Sequence, residues 1–190
     1  MKTPNQSNYL KGHFLIAMPS MAEGIFANSI TYLCEHSEEG AMGIVINHPL
    51  DISLDDIFQH LNIDNIQSAH HDRVLAGGPV HMDRGFVLHC RSDESWDSTI
   101  HISDQIALTT SQDILAAIAQ DKGPKQSLVA LGYAGWGKGQ LEMELTANAW
   151  LTAPADYDII FNTPIELRAK AAAAQLGVDL ALISPVAGHA

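Results

Sequence analysis

The sequence predicts an α+β fold: one compact domain over residues 1–190, with a mixed, largely antiparallel sheet or flattened barrel and helices packed around it. Three observations predict it. Short β-type runs fill the first half, and helical and strand patterns interleave in the second without the regular alternation of a βαβ protein. The 190 residues contain no repeat, low-complexity tract or linker that would divide them. A chain that is 46% hydrophobic and 17% charged is globular, and at this length it buries a core without metal or disulfide support.

Residues 1–11 are polar and read as a flexible leader. Residues 12–19 (GHFLIAMP) form a strand stopped by proline. Residues 29–36 and 41–47 both alternate in the β manner, and the connector 37–40 (SEEG) joins them into a hairpin. Leu54 to Leu61 fits a short helix with Ser53 as its N-cap and Asp55 and Asp56 in the first turn, where the helix dipole favours negative charge. Residues 62–72 are polar and aperiodic, as in a loop. Strands are expected at 74–80, turning sharply at Gly77-Gly78-Pro79, and at 85–90, 99–102 and 106–109.

Ser111 is placed to cap a helix running to about Gln120, which Gly123-Pro124 breaks. Residues 127–133 read as a central apolar strand, followed by a glycine-rich turn, a helix from about Lys138 to Thr146 and a strand at 150–152. Pro164 to Leu176 opens on proline, carries four successive alanines and ends at Gly177, which predicts one helix. The apolar tail 178–190 is expected to dock.

Charge and cysteine content exclude several classes. The net charge is −12, and the ten lysines and arginines are scattered rather than arranged as a stripe that would neutralise phosphates, so direct nucleic-acid binding is disfavoured. Two cysteines, Cys34 and Cys90, are too few for a disulfide framework, and the N-terminus lacks the apolar segment of a secretory signal. No apolar run approaches the ~20 residues of a membrane span. The expectation is a cytoplasmic protein with free, buried thiols and no contact with membranes.

Few motifs point to chemistry. Gly132 to Lys138 (GYAGWGK) has the spacing of a phosphate-binding loop, yet Gly139 stands where a magnesium-binding hydroxyl belongs, and a tryptophan fits poorly in a tight phosphate cradle. A structural Gly/Trp turn is the alternative. Gly77 and Gly78, with Arg84 near, suit either an anion-binding nest or a plain sharp turn. On a strand, Cys34 and His36 share a face, but no standard zinc spacing accompanies them, so no metal and no cofactor are assigned. No G-x-S-x-G element occurs, and Glu142 and Glu144, two apart on a helix, read as a solvated surface, with support of the turn through Gln140 or a backbone amide as the alternative for Glu142. No catalytic residue is nominated. Tyr133, Trp136 and Trp150 suit an aromatic wall for a ligand or partner, or core packing.

Nine segments together resemble the AlgH/YqgE family of small bacterial proteins. They are FLIAMPSM (14–21), YLCEH (32–36), GAMGIVIN (40–47), GGP (77–79), DRGF (83–86), GYAGW (132–136), GQLE (139–142), NAWLT (148–152) and the tail AGHA (187–190). They run in order over nearly the whole chain, with Glu23 where the family carries aspartate. Gly137 and Lys138, which complete the phosphate-loop spacing, fall outside the family pattern. The resemblance implies a compact α+β fold of unusual topology, a cytosolic location and a role named for regulation of alginate production, sometimes described as transcriptional regulation. It carries over no catalytic set.

Two functions follow. The first is a non-enzymatic regulatory protein acting through a protein partner, and the acidic charge favours contact with a regulator or RNA polymerase over contact with DNA. The alternative is a binder or enzyme for a small anionic, phosphorylated ligand. The residues proposed to bind in either case are Gly77, Gly78, Arg84, Tyr133, Trp136 and Lys138.

Overall fold

The computed structural model describes residues 9–21, 23–64 and 72–183. Its strands form one continuous sheet. Strand β1 (His13–Ala17) pairs antiparallel with β2 (Ile30–Ser37) on one side. After the hairpin comes β3 (Gly40–Val45), then β4 (Pro49–Ser53), helix α1 (Leu54–His60), β5 (Arg73–Ala76) and β6 (Val80–Cys90). The chain continues through β7 (Thr99–His101), β8 (Ile106–Thr109), α2 (Asp113–Ala119) and β9 (Ser127–Gly137). It closes with α3 (Gln140–Thr146), β10 (Trp150–Pro154), α4 (Tyr157–Phe161) and α5 (Arg168–Ala174).

Strand order is β10-β1-β2-β3-β9-β6-β8-β7, with β5 also against β9 and β4 against β5. Every recorded pair is antiparallel except β5 with β9, which is parallel. The α+β architecture is therefore as the sequence predicts.

Strand β9 organises the molecule. Its first half pairs with β6 and β5, and its second half pairs with β3. This extends past the expected end at Tyr133: the stretch taken for a glycine-rich turn is strand through Gly137. The physical reason is its period-two burial. Gly132, Ala134 and Trp136 are buried, while Gly135 and Gly137 are exposed. Its glycines answer to close approach. A Cβ on Gly78 (φ +153°) would lie 2.1 Å from the Tyr133 carbonyl carbon, and one on Gly132 (φ +73°) 2.4 Å from the Gly78 oxygen. The backbones of 77–78 and 132–133 therefore cross in contact, where no side chain fits.

Other differences have local causes. The hairpin turn is only Glu38-Glu39. Strand β4 follows the hairpin directly and was not foreseen; a proline at a strand's first residue forfeits little pairing. Ser111 is not the cap of α2: its hydroxyl donates to the Asp113 carboxylate at 2.5 Å, and Gln112 takes the N-cap position. The predicted helix 164–176 divides into a 3₁₀ turn at Ile165–Leu167 and α5, and α4 precedes it unforeseen, capped by Asp156. Ser53 does cap α1, in a reciprocal arrangement with Asp56.

Three apolar clusters flank the sheet. The largest sets Phe14, Tyr32, Ile44 and Leu108 against α4 and α5. The second packs α1 and α2 on Val74, Val87 and Val129. The third surrounds Trp136 and Trp150 beneath α3. Val178 and Leu180 pack on the first cluster, and the rest of the tail beyond residue 183 lies outside the described residues.

Candidate functional site

The tryptophans are built into the scaffold. Trp136, on β9, and Trp150, opening β10, are each 5% exposed, with ring centroids 5.9 Å apart edge to face. Phe26 stacks on Trp136 and meets Trp150 edge-on. Both indole N–H groups donate to one oxygen, Oε2 of Glu144, at 2.9 and 2.8 Å. Gln140 Nε2 donates to the other carboxylate oxygen at 3.0 Å, and Gln140 Oε1 accepts from the Gly137 amide at 3.0 Å. Helix α3 is thereby stapled to the strand end. This corrects the reading of Glu144 as solvated surface, since it is partly buried against both indoles, whereas Glu142 stays exposed as expected.

Glu142 accepts from His36 Nε2 at 2.8 Å. The tautomer follows from the other ring nitrogen, because His36 Nδ1 accepts the Leu10 amide at 2.9 Å and so carries no proton there. Nε2–H is therefore the donor. Bonds from its own backbone amide and from His36 hold the Glu142 carboxyl below its ordinary pKa. Both imidazole nitrogens are occupied, so this pair fastens the chain at Leu10 to α3 rather than offering an acid–base couple.

The expected sharing of a face by Cys34 and His36 is overturned. The β2–β3 register slips between Leu33 and Glu35, leaving Cys34 as an extra residue in a bulge. Cys34 packs with Tyr32 in the largest cluster, whereas His36 turns to α3 beside the cluster that holds Leu33. Burial pushes the Cys34 thiol well above its ordinary pKa. Among the described residues no group of three or more His, Cys, Asp or Glu side chains is placed to hold a metal ion.

Of the six candidate residues, the fold brings three together. Gly77, Gly78 and Tyr133 meet at the backbone crossing, where the Gly77 amide is already bonded to the Leu131 carbonyl at 2.8 Å. The Tyr133 ring lies against Phe86 and His81. Trp136 sits in the aromatic cluster, and Lys138 is exposed just past β9.

Arg84 stands elsewhere. Between Val80 and Gly85, β6 leaves the ladder: these residues face Tyr133 and Leu131, so His81 to Arg84 bulge outward. His81 adopts φ +48° there, and Met82 is 59% exposed. Beneath the bulge lies a cavity of ≈ 410 Å³, floored by apolar side chains including Leu61, Val87, Leu115 and Leu131, with Arg84, His60 and Ser111 also lining it. Its size and its apolar floor with a few polar groups are those of a ligand or anchor pocket.

The AlgH-like family (DUF179) matches residues 14–181. A UPF0301 protein of Saccharophagus degradans is 55% identical over 95% of this chain and 89% of its own length. The UPF0301 protein AlgH of Pseudomonas aeruginosa is 54% identical over 96% of each chain. The solution structure of AlgH from Pseudomonas aeruginosa superposes with a TM-score of 0.79 at 53% identity, covering all of both chains. A crystal structure of a Corynebacterium diphtheriae protein shares the fold at TM-score 0.65 and 19% identity, covering 87% of this chain and 86% of that one. The chain belongs to the AlgH-like family.

Sequence reasoning missed Glu144, the His36–Glu142 pair and Arg168. The first two span unlike elements and leave no local signal. Arg168 had one: it opens the run RAKAAAA, placing its guanidinium four and five positions before the buried Ala172 and Ala173.

Proposed function

We propose that this chain is a non-enzymatic regulatory protein of the bacterial cytoplasm that acts by holding a protein partner. The observation that carries the reading is the ≈ 410 Å³ cavity under the His81–Arg84 bulge, with its apolar floor and the exposed Met82 and Arg84 above it. An apolar side chain of a partner fits that floor, and an acidic residue beside it would meet Arg84. The aromatic cluster does not supply the docking face, because Trp136 and Trp150 are buried. The −12 charge supports a protein partner over DNA. Among the described residues no helix is long and apolar enough to cross a membrane. Regulation of alginate production, which the family resemblance implies, would in this reading be exercised through protein contact.

The test places a photo-crosslinking residue at position 82 in the native bacterial host, with position 143 as control, since Met143 is 70% exposed on α3. A discrete adduct is expected at 82 and not at 143, and Leu61→Glu, which charges the cavity floor, should abolish it. Equal adducts at both positions, or an adduct indifferent to Leu61→Glu, would refute the docking face.

A further inference from the structure

A second cavity, of ≈ 580 Å³, opens where β5 and β9 part. The two strands are paired only at Leu75–Ala130 and Ala76–Leu131, although β5 begins at Arg73 and β9 at Ser127. The space between their unpaired ends is walled by Val74, Ile118, Phe161 and Ile165. Arg168 lines it and is only 4% exposed.

Arg168 is held by backbone carbonyls alone. Its Nε donates to Thr163 O at 3.0 Å and its Nη1 to Ile46 O. These bonds aim the guanidinium without neutralising it, and its remaining N–H donors meet no acceptor among the described residues. No carboxylate lies within ion-pair distance of it among those residues. Burial draws its pKa down to about 10, with the exposed Glu166 acting in the opposite sense. A buried cation is costly unless closely paired, and Glu166, whose charge favours it, lies exposed and beyond ion-pair distance.

The rest of the charged lining is balanced, so the buried Arg168 sets the sign. Arg73 and Lys125 also line the cavity, so it collects three of the chain's ten basic residues and only two of its 22 acidic ones, Asp72 and Asp121. Arg73 also pairs with Asp51 at 3.1 Å, on open surface where such a pair is weak. In a protein of net charge −12 the lining thus comes to +1 around apolar walls, with Arg168 as its buried cation.

We propose that this cavity binds a small phosphomonoester with an apolar body, its phosphate on Arg168 and Lys125 and its body against Phe161 and Ile165. Two or more cations favour a phosphate, which carries close to two charges and three acceptor oxygens, over a carboxylate with one. The site is separate from the cavity under Arg84 and does not depend on the protein-docking reading.

The test titrates the full-length protein with phenyl phosphate at low salt, followed by amide and arginine Nε resonances. Saturable shifts are expected at Ser127, Phe161, Ile165 and the Arg168 Nε, with a dissociation constant of about 1 mM or less. Phenylacetate should bind about tenfold more weakly, and benzyl alcohol not measurably. Lys125→Glu, an exposed substitution that spares the fold, should weaken phenyl phosphate at least about tenfold, while Lys11→Glu, away from the cavity, should leave it unchanged. Arg168→Gln, checked for folding by circular dichroism, should abolish binding. Shifts that map elsewhere, no saturation, or indifference to Lys125→Glu would overturn the site. Phenylacetate binding as tightly would overturn the phosphate assignment, and benzyl alcohol doing so would overturn the role of charge.

Discussion

Replacing Glu144 by alanine tests whether α3 and the tryptophans form one hydrogen-bonded unit. The substitution removes the single oxygen that accepts both indole N–H groups, on rings that are each 5% exposed. A buried donor left without an acceptor costs about 1–3 kcal/mol, so two give roughly 2–6 kcal/mol. Glu144 itself is half-buried, so water reaches part of the gap and the expected loss is about 3 kcal/mol. Glu144→Gln keeps a carbonyl oxygen in place and forfeits only the charge assistance, for about 1 kcal/mol. Urea unfolding followed by tryptophan fluorescence reads both, as a lower midpoint at constant slope. In a Trp136→Phe background one donor is already gone, so the cost of Glu144→Ala should fall by about 1 kcal/mol or more. Trp136→Ala, which empties the ring's volume, should cost about 3–5 kcal/mol. If Glu144→Ala lowers stability by less than about 0.5 kcal/mol, the indoles are satisfied by other means and the staple is not real.

Two further substitutions probe the crossing and the sheet interior. Gly78→Ala should cost about 3 kcal/mol or prevent folding, because its Cβ would meet the backbone of Tyr133 at a φ of +153°; Gly85→Ala, with nothing within 4 Å of its Cβ, should change stability by under about 0.5 kcal/mol, and equal melting temperatures for the two would refute the close approach. His89 is buried between Trp96 and Thr109, and burial pushes its pKa below the ordinary value, aided by nearby His101 and opposed by its bond to the Cys90 carbonyl. Below about pH 6.5 the unfolded chain takes up a proton that the fold resists, so this contribution is complete above that pH and drains away as pH falls. Between pH 7.5 and 5.5 the wild type should therefore lose more stability than His89→Gln, and parallel losses would dismiss the imidazole as the cause.

The parts of the molecule legible in the sequence are those set by nearby residues. The β2–β3 hairpin, the Ser53 cap and the strands at 99–109 each follow from alternation or from one side chain bonding a neighbouring amide. What escaped depends on distant partners. The glycines of β9 read as a turn because their purpose is to admit a backbone more than fifty residues earlier, at Gly78. The bulge at Cys34 is invisible in β2 alone, since it is a mismatch of count between two strands, and it reverses the face of every residue after it. Of the proposed binding residues, Arg84 lines a cavity, whereas Trp136 lies in a core that alternating burial along β9 would have suggested. Arg168 was passed over because its meaning comes from its burial beside a cavity without an adjacent carboxylate, a property of the packed chain.

Strand β1 takes one of its neighbours from the opposite end of the chain, in the register Ala17–Trp150. During translation this sets a long wait. Roughly 130 residues must be added before β10 exists, which at about 5–20 residues per second takes some 7–26 seconds. Once β2 is made, the Phe-Leu-Ile-Ala segment of β1 has β2 along one side and a row of open backbone amides and carbonyls along the other. The nascent protein thus carries an apolar sheet edge for more than half of its synthesis, and the ribosome must finish the last strand before that edge is closed.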